Sequence, residues 1–126
     1  MTNVYPNSPG EPGWWDTEVG KHYWRANIIA LQRGVKITRI FIYSDMTDAL
    51  AGVIKTQGDA GVNVGLVKHR NLDASLHLNF AIWDGKKAWE ARMNAKGEIV
   101  ENLFSVNRND IDRLSRAFRN CSIHEE

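Results

Sequence analysis

A nearly continuous apolar run, Val35 to Tyr43, lies between two segments of helical periodicity, and this arrangement narrows the folds open to the chain. Val35, Ile37, Ile40, Phe41, Ile42 and Tyr43 read as a strand covered on both faces. Before it, Trp15, Val19, Tyr23, Ala26 and Ala30 recur at helical spacing. Trp24, Ile28 and Leu31 widen that face, Asp16 or Thr17 can cap it, and Gly34 suits a left-handed end. After it, Ser44 or Asp45 caps a predicted helix over Met46–Gln57, carrying Leu50, Val53 and Ile54. Gly58 and Gly61 end that helix, and Val62–Val67 reads as a second strand. Strand, helix and strand with short joints imply a parallel pair and a right-handed crossover.

The second half reads differently. Lys68–Ser75 is a polar loop, and Leu76–Trp83 alternates as a strand with one buried face. Asp84-Gly85 is a two-residue hairpin signal, Lys86–Met93 returns, Asn94–Gly97 turns, and Glu98–Val106 is a further strand. Asn107 or Asn109 caps a helix over Asp110–Cys121 with Ile111, Leu114, Ala117 and Phe118 inward. The expected architecture is α/β, a mixed β-sheet flanked by helices, in one domain over residues 14–121. Pro6, Pro9, Gly10, Pro12 and Gly13 make residues 1–13 an expected disordered lead, and Ser122–Glu126 an expected frayed tail.

At 126 residues the chain suits one core, and its five Trp and four Phe can fill it. Sixteen basic residues against fifteen acidic give a net charge of +1, which argues against a general nucleic-acid binder. One cysteine, Cys121, permits no internal disulfide and reads as a half-buried helix residue. Four scattered His beside it form no zinc pattern, so no metal and no cofactor are expected. No apolar run approaches the ~18 residues of a membrane span. The polar, Pro- and Gly-rich start is unlike a signal peptide, so a cytoplasmic location is the expectation.

Chemistry-bearing residues gather between His77 and Asn94. Alternation puts Leu76, Leu78, Phe80 and Ile82 on one face, and His77, Asn79, Ala81 and Trp83 on the other. His77 and Asn79 are then about 7 Å apart by strand rise. The hairpin brings Arg92 and Asn94 back toward His77. A His, an Arg and two Asn on one surface make an anion cradle, since imidazole can attack or donate and Arg and Asn donate to anionic oxygens. Each also has an ordinary structural use: a satisfied strand His, turn residues in Asp84 and Asn94, a solvated Arg92. Trp14, Trp15 and Trp24 read first as core or interface, and Arg113, Arg116 and Arg119 as a solvated helix face.

The stretch His77-Leu-Asn79-Phe-Ala-Ile-Trp-Asp84 resembles the phospholipase D superfamily signature, His-x-Lys-x4-Asp. That signature is commonly followed by Gly-Ser-x-Asn, and the corresponding window here is Ala91-Arg92-Met93-Asn94. Upstream, Arg33-Gly34-Val35, then Lys36 to Asp45, then a helix and Gly61-Val-Asn-Val are similar to the family's pattern, so the likeness runs over about residues 20–121. The resemblance implies one half of a phospholipase D-like fold. In that family two motifs face each other: one His forms a phospho-histidine, the other protonates the leaving group, and the Lys residues hold phosphate. Short members pair two chains, so the resemblance implies either a homodimer with two copies of His77 face to face or a piece of a larger protein that holds both motifs.

His77, Asp84 and Asn94 keep the pattern, but Asn79 stands at the Lys position and Arg92 at the Ser position. Losing one fixed donor from such a clamp costs ~10²–10³ in rate. Arg92 can restore the charge from the neighbouring strand. Three functions follow. One is a degenerate, non-catalytic module in signalling or regulation that binds an anionic, phosphate-type small molecule or a partner protein domain through His77, Asn79, Arg92 and Asn94. Another is a homodimeric phosphodiesterase, a nuclease or phospholipid hydrolase, with His77 and Asp84 catalytic. The third is a structural dimerisation domain built on the aromatic N-terminal helix.

Overall fold

The computed structural model describes residues 1–4, 13–94 and 99–126. Nine regular elements follow one another in these segments: β1 (Thr2–Val4), α1 (Glu18–Gln32), β2 (Thr38–Tyr43), α2 (Asp48–Ala60), β3 (Asn63–Lys68), β4 (Asn79–Trp83), β5 (Lys87–Met93), β6 (Ile99–Ser105) and α3 (Arg108–Ser122). The six strands form one mixed sheet in the order β3-β2-β1-β4-β5-β6. β1, β2 and β3 are parallel, and every later pairing is antiparallel. The α/β class and the mixed sheet flanked by helices are therefore as expected.

Local chemistry sets most boundaries. Thr17 caps α1, its hydroxyl accepting from the Gly20 amide at 3.1 Å. α2 is capped by Thr47, not by Ser44 or Asp45, because Thr47 is the residue that meets the Leu50 amide, at 3.1 Å. Asn107 caps α3 and accepts from the Asn109 amide at 2.8 Å. Asp84 (φ 54°) and Gly85 (φ 64°) turn the β4–β5 hairpin through two left-handed residues, as type I′ turns require.

α1 and α2 cover one side of β2 and its neighbours. There Trp15, Phe41, Tyr43 and Leu50 pack with Tyr23, Trp24, Val53 and Ile54. α3 covers the other side. Cys121 and Phe118 meet Ile40, Ile42 and Val67, while Ile111 and Leu114 meet Phe80 and Ala88. Fully burying a side chain such as Phe41 or Ile42 contributes about 1.5–3 kcal/mol each.

Two expectations at the chain ends need correction. Residues 2–4 do not belong to a disordered lead; they form β1, inserted between β2 and β4 in the middle of the sheet. Thr2 pairs with both Ile40 and Phe80, so without β1 the parallel and antiparallel halves have no common strand. Residues 5–12 of the expected lead, and positions 95–98 of the expected turn and strand start, lie outside the described residues. The frayed tail is also corrected. α3 runs to Ser122, the Glu126 amide donates to Leu66 O at 2.9 Å, and Tyr43 Oη donates to the Glu126 carboxylate at 2.8 Å. Gly65 fits this docking, because a Cβ there would lie 2.9 Å from the Glu125 carboxyl. The tail therefore closes the outer side of β3.

Candidate functional site

β4 begins at Asn79, three residues later than the alternation predicts. His77 lies before the strand, as the residue that caps a 3-10 turn over Ala74–Leu76. It is half-buried, and its Nε2 lies 3.0 Å from His69 O and 3.2 Å from Leu72 O. Carbonyl oxygens only accept, so Nε2 carries the proton and donates to both. The His69 ring stacks on His77 with centroids 3.8 Å apart. Burial, and then the charge of His77, hold the His69 imidazole below its ordinary pKa. Nearby, Asp73 accepts from the Ser75 amide and hydroxyl, which lowers its carboxyl.

Asn79 is only 5% exposed and sits on the α1 side of the sheet, with Ala81 and Trp83. Its Oδ1 accepts from the Val4 amide at 2.6 Å and from Asn3 Nδ2 at 3.3 Å. Its Nδ2 points to Met93 Sδ at 2.9 Å. Asn3 Oδ1 in turn accepts from Trp15 Nε1 at 3.2 Å. The amide thus ties β1 to β4, β5 and the start of α1. A buried amide with both ends engaged is a fold element, since leaving either end unpaired costs about 1–3 kcal/mol.

The remaining motif residues spread out. Arg92 is exposed on β5 and faces Glu101 of β6 at 3.4 Å. Asn94 follows β5 at the surface. Asp84 is at the hairpin tip, at the far end of β4 from His77, and the strand between them spans about 17 Å. Asp84 and Arg92 are exposed while Asn79 is buried, so the expected single cradle divides into separate places.

Sequence reasoning places Lys68-His69-Arg70 in the loop before the site strand, as a gate or a solvated stretch, and does not bring the His69 ring onto His77. It also passes over an apolar groove of about 680 Å³ on the α1 side of β4, β5 and β6. Trp14 and Tyr23 form one wall, and Trp83, Trp89, Ile99 and Phe104 form the floor and the far wall. Neither α1 nor α2 reaches across this half of the sheet, and Phe104 is 74% exposed. A two-residue turn at Asp84-Gly85 would set Trp89 opposite Phe80, on the other face; the hairpin instead pairs Trp83 with Lys87, which brings Trp89 opposite Ala81 and onto the face of Trp83 and Asn79.

The buried cation lies elsewhere. Arg39 on β2 is fully buried, and its guanidinium donates to Gln57 Oε1 and, at 2.6 Å, to Asn27 Oδ1. It lies 4.6 Å from the centre of the Trp15 ring. Burial pushes its pKa down to about 10. Among the described residues no group of three or more His, Cys, Asp or Glu is arranged to hold a metal, and no helix is long and apolar enough to cross a membrane. No family model, curated protein or solved structure matches the chain.

Proposed function

We propose that this chain is a non-catalytic, phospholipase D-like module that acts by binding a partner protein domain, in a signalling or regulatory role. The observation that carries this reading is Asn79. At the position where phosphodiester chemistry of that kind places a Lys, this chain has a buried amide engaged by Val4, Asn3 and Met93. A phosphate oxygen would have to displace those partners. The other charge available for phosphate, Arg92, already has Glu101 beside it. Polar groups are thus consumed by the fold, while aromatic side chains stand open on β4–β6. Exposed apolar patches of this kind mark binding surfaces in stable proteins.

Hydrolysis of bis-p-nitrophenyl phosphate by the wild type and by His77→Ala tests the reading. We expect no turnover above the uncatalysed rate from either protein. Wild-type turnover that disappears in His77→Ala would establish the phosphodiesterase alternative and overturn the proposal. Titration with inorganic phosphate separates the remaining alternative. Saturable binding lost in Arg92→Ala would return the site to an anionic ligand.

A further inference from the structure

The two outer strands of the sheet are finished differently, and the difference identifies a surface. β3 carries Gly65 and Lys68 and is closed by the C-terminal tail. β6 has β5 on one side and no strand on the other among the described residues. Alternate amides and carbonyls of an antiparallel edge point outward, which makes it a template for another strand. Proteins that keep such an edge single place Lys, Pro or a bulge along it. Ile99-Val100-Glu101-Asn102-Leu103-Phe104-Ser105 has no Lys and no Pro, and its one irregularity lies at the Ile99 end, opposite Arg92 and Met93.

We propose that β6 is the seam of a homodimer, pairing antiparallel with β6 of a second copy across a two-fold axis so that one sheet runs through both. The inference rests on the reading that this chain acts by binding protein, and it names the partner as the chain itself. Backbone chemistry requires the occupant to be an extended strand. Side-chain order suits a self-pair: a two-fold axis near Asn102 sets Val100 of each copy against Phe104 of the other, an aromatic against a β-branched residue. No like charges meet in that register. The single acid, Glu101, falls opposite Leu103 and already faces Arg92 at 3.4 Å. At a net charge of +1, two copies repel each other little.

The area is adequate. Ile99, Val100, Leu103, Phe104 and Val106, on β6 or just past it, are all exposed large apolar residues. Together they leave on the order of 500 Å² open per copy, against about 800 Å² per partner in a stable interface, and the strand backbone supplies part of the rest. The seam also extends the aromatic groove, since Phe104 lies on the groove side with Trp89, its partner in the ladder. Such a dimer is unlike one that joins two catalytic motifs. β4, which follows His77, is two strands in from the seam, so the two copies of β4 lie five strand spacings apart, roughly 24 Å.

Sedimentation velocity of the full chain over a range of micromolar concentrations tests the seam. The wild type should pass from monomer to dimer. Phe104→Lys should weaken the dimer at least about tenfold by bringing two ammonium groups into the seam. Val106→Lys, at a 75% exposed position just beyond the strand, should act in the same direction and serves if Phe104→Lys misfolds by circular dichroism. Asn63→Lys on β3 should leave the dimer unchanged. A wild type that stays monomeric, or a dimer that both Lys variants leave intact, overturns the seam. Neither outcome bears on phosphodiester turnover, so failure here is distinct from failure of the non-catalytic reading.

Discussion

The β3–β2 end of the sheet and the β5–β6 end share one sheet and one connecting strand, yet they are built to different plans. The β3–β2 end is enclosed. α1 and α2 lie on one side, α3 on the other, and the tail from Ser122 to Glu126 closes the outer strand. Even its cation is internal, with Arg39 held by amides and a ring face. At the β5–β6 end, α3 covers one side only, fixed by Ile111 and Leu114 and by an Arg113–Glu90 ion pair at 2.7 Å. The opposite side and the outer edge present apolar residues to solvent. The enclosed end supplies stability; the open end is where a partner can be met.

The largest effect should come from the enclosed end. Arg39→Ala leaves Gln57 Oε1 and Asn27 Oδ1 without their donor and opens a cavity under Trp15. We expect a loss of about 3–5 kcal/mol in urea unfolding. Arg113→Ala, at the open end, removes an ion pair whose arginine is half exposed, and should cost under about 1 kcal/mol. If the two losses came out equal, the contrast between the ends would collapse.

Next in size is the response to protein concentration. A dimer through β6 makes the melting temperature rise with concentration, because association stabilises only folded chains. Phe104→Lys should flatten that rise while leaving the dilute-limit melting temperature nearly unchanged, since Phe104 is 74% exposed and packs little in one copy. A rise that persists in Phe104→Lys would place the association elsewhere, with the aromatic start of α1 the next surface to probe.

How far this division could be read from sequence depends on what each element needs. The β2–α2–β3 unit, the Asp84-Gly85 hairpin and α3 were legible because each carries its own period or turn chemistry over many residues. β1 was not. Three residues show no period, and the Pro- and Gly-rich stretch after Val4 points locally to irregular chain. Missing β1 also hid the role of Asn79, whose amide has meaning only beside Asn3 and Val4. His77 matched a motif by spacing alone. Its setting on the carbonyls of His69 and Leu72 depends on a loop path that no local pattern specifies. The tail was misread for a similar reason: Glu125-Glu126 looks like a solvated end until Leu66 O and Tyr43 Oη are brought to it.

The tail offers an intermediate effect that separates the two edges. Tyr43→Phe deletes the hydroxyl that donates to Glu126 and keeps the ring in the core. We expect a loss of about 0.5–1.5 kcal/mol, as for one ordinary hydrogen bond, because the Glu126 carboxylate is exposed, with dimerisation through β6 unaffected. Removing residues 123–126 goes further by uncovering β3. With both edges open, pairing need not stop at two copies. Species larger than a dimer in sedimentation are then expected, and a strict dimer would show that β3 guards itself without the tail.

The smallest effect is a pH dependence at the junction of the two ends, where His69 stacks on His77. His69 is held below its ordinary pKa, first by burial and then by the charge of His77. The unfolded chain therefore binds a proton there at a higher pH than the folded chain does. Stability from this group is complete above the unfolded value, near 6.5, and is lost as pH falls toward the folded value. The Met1 amine, pushed down to about 5 chiefly by burial, tilts the same way between pH 8 and 5. The His69 share is thus the difference in slope between wild type and His69→Phe, which keeps the stacked ring and removes the proton. Urea midpoints at several pH values, taken in the Phe104→Lys background to exclude association, should fall more steeply for the chain with His69. β6 carries no imidazole, so the wild-type dimer should persist across the same range. Parallel slopes in the two chains would mean that the stacked pair is a packing contact with no titration linked to folding.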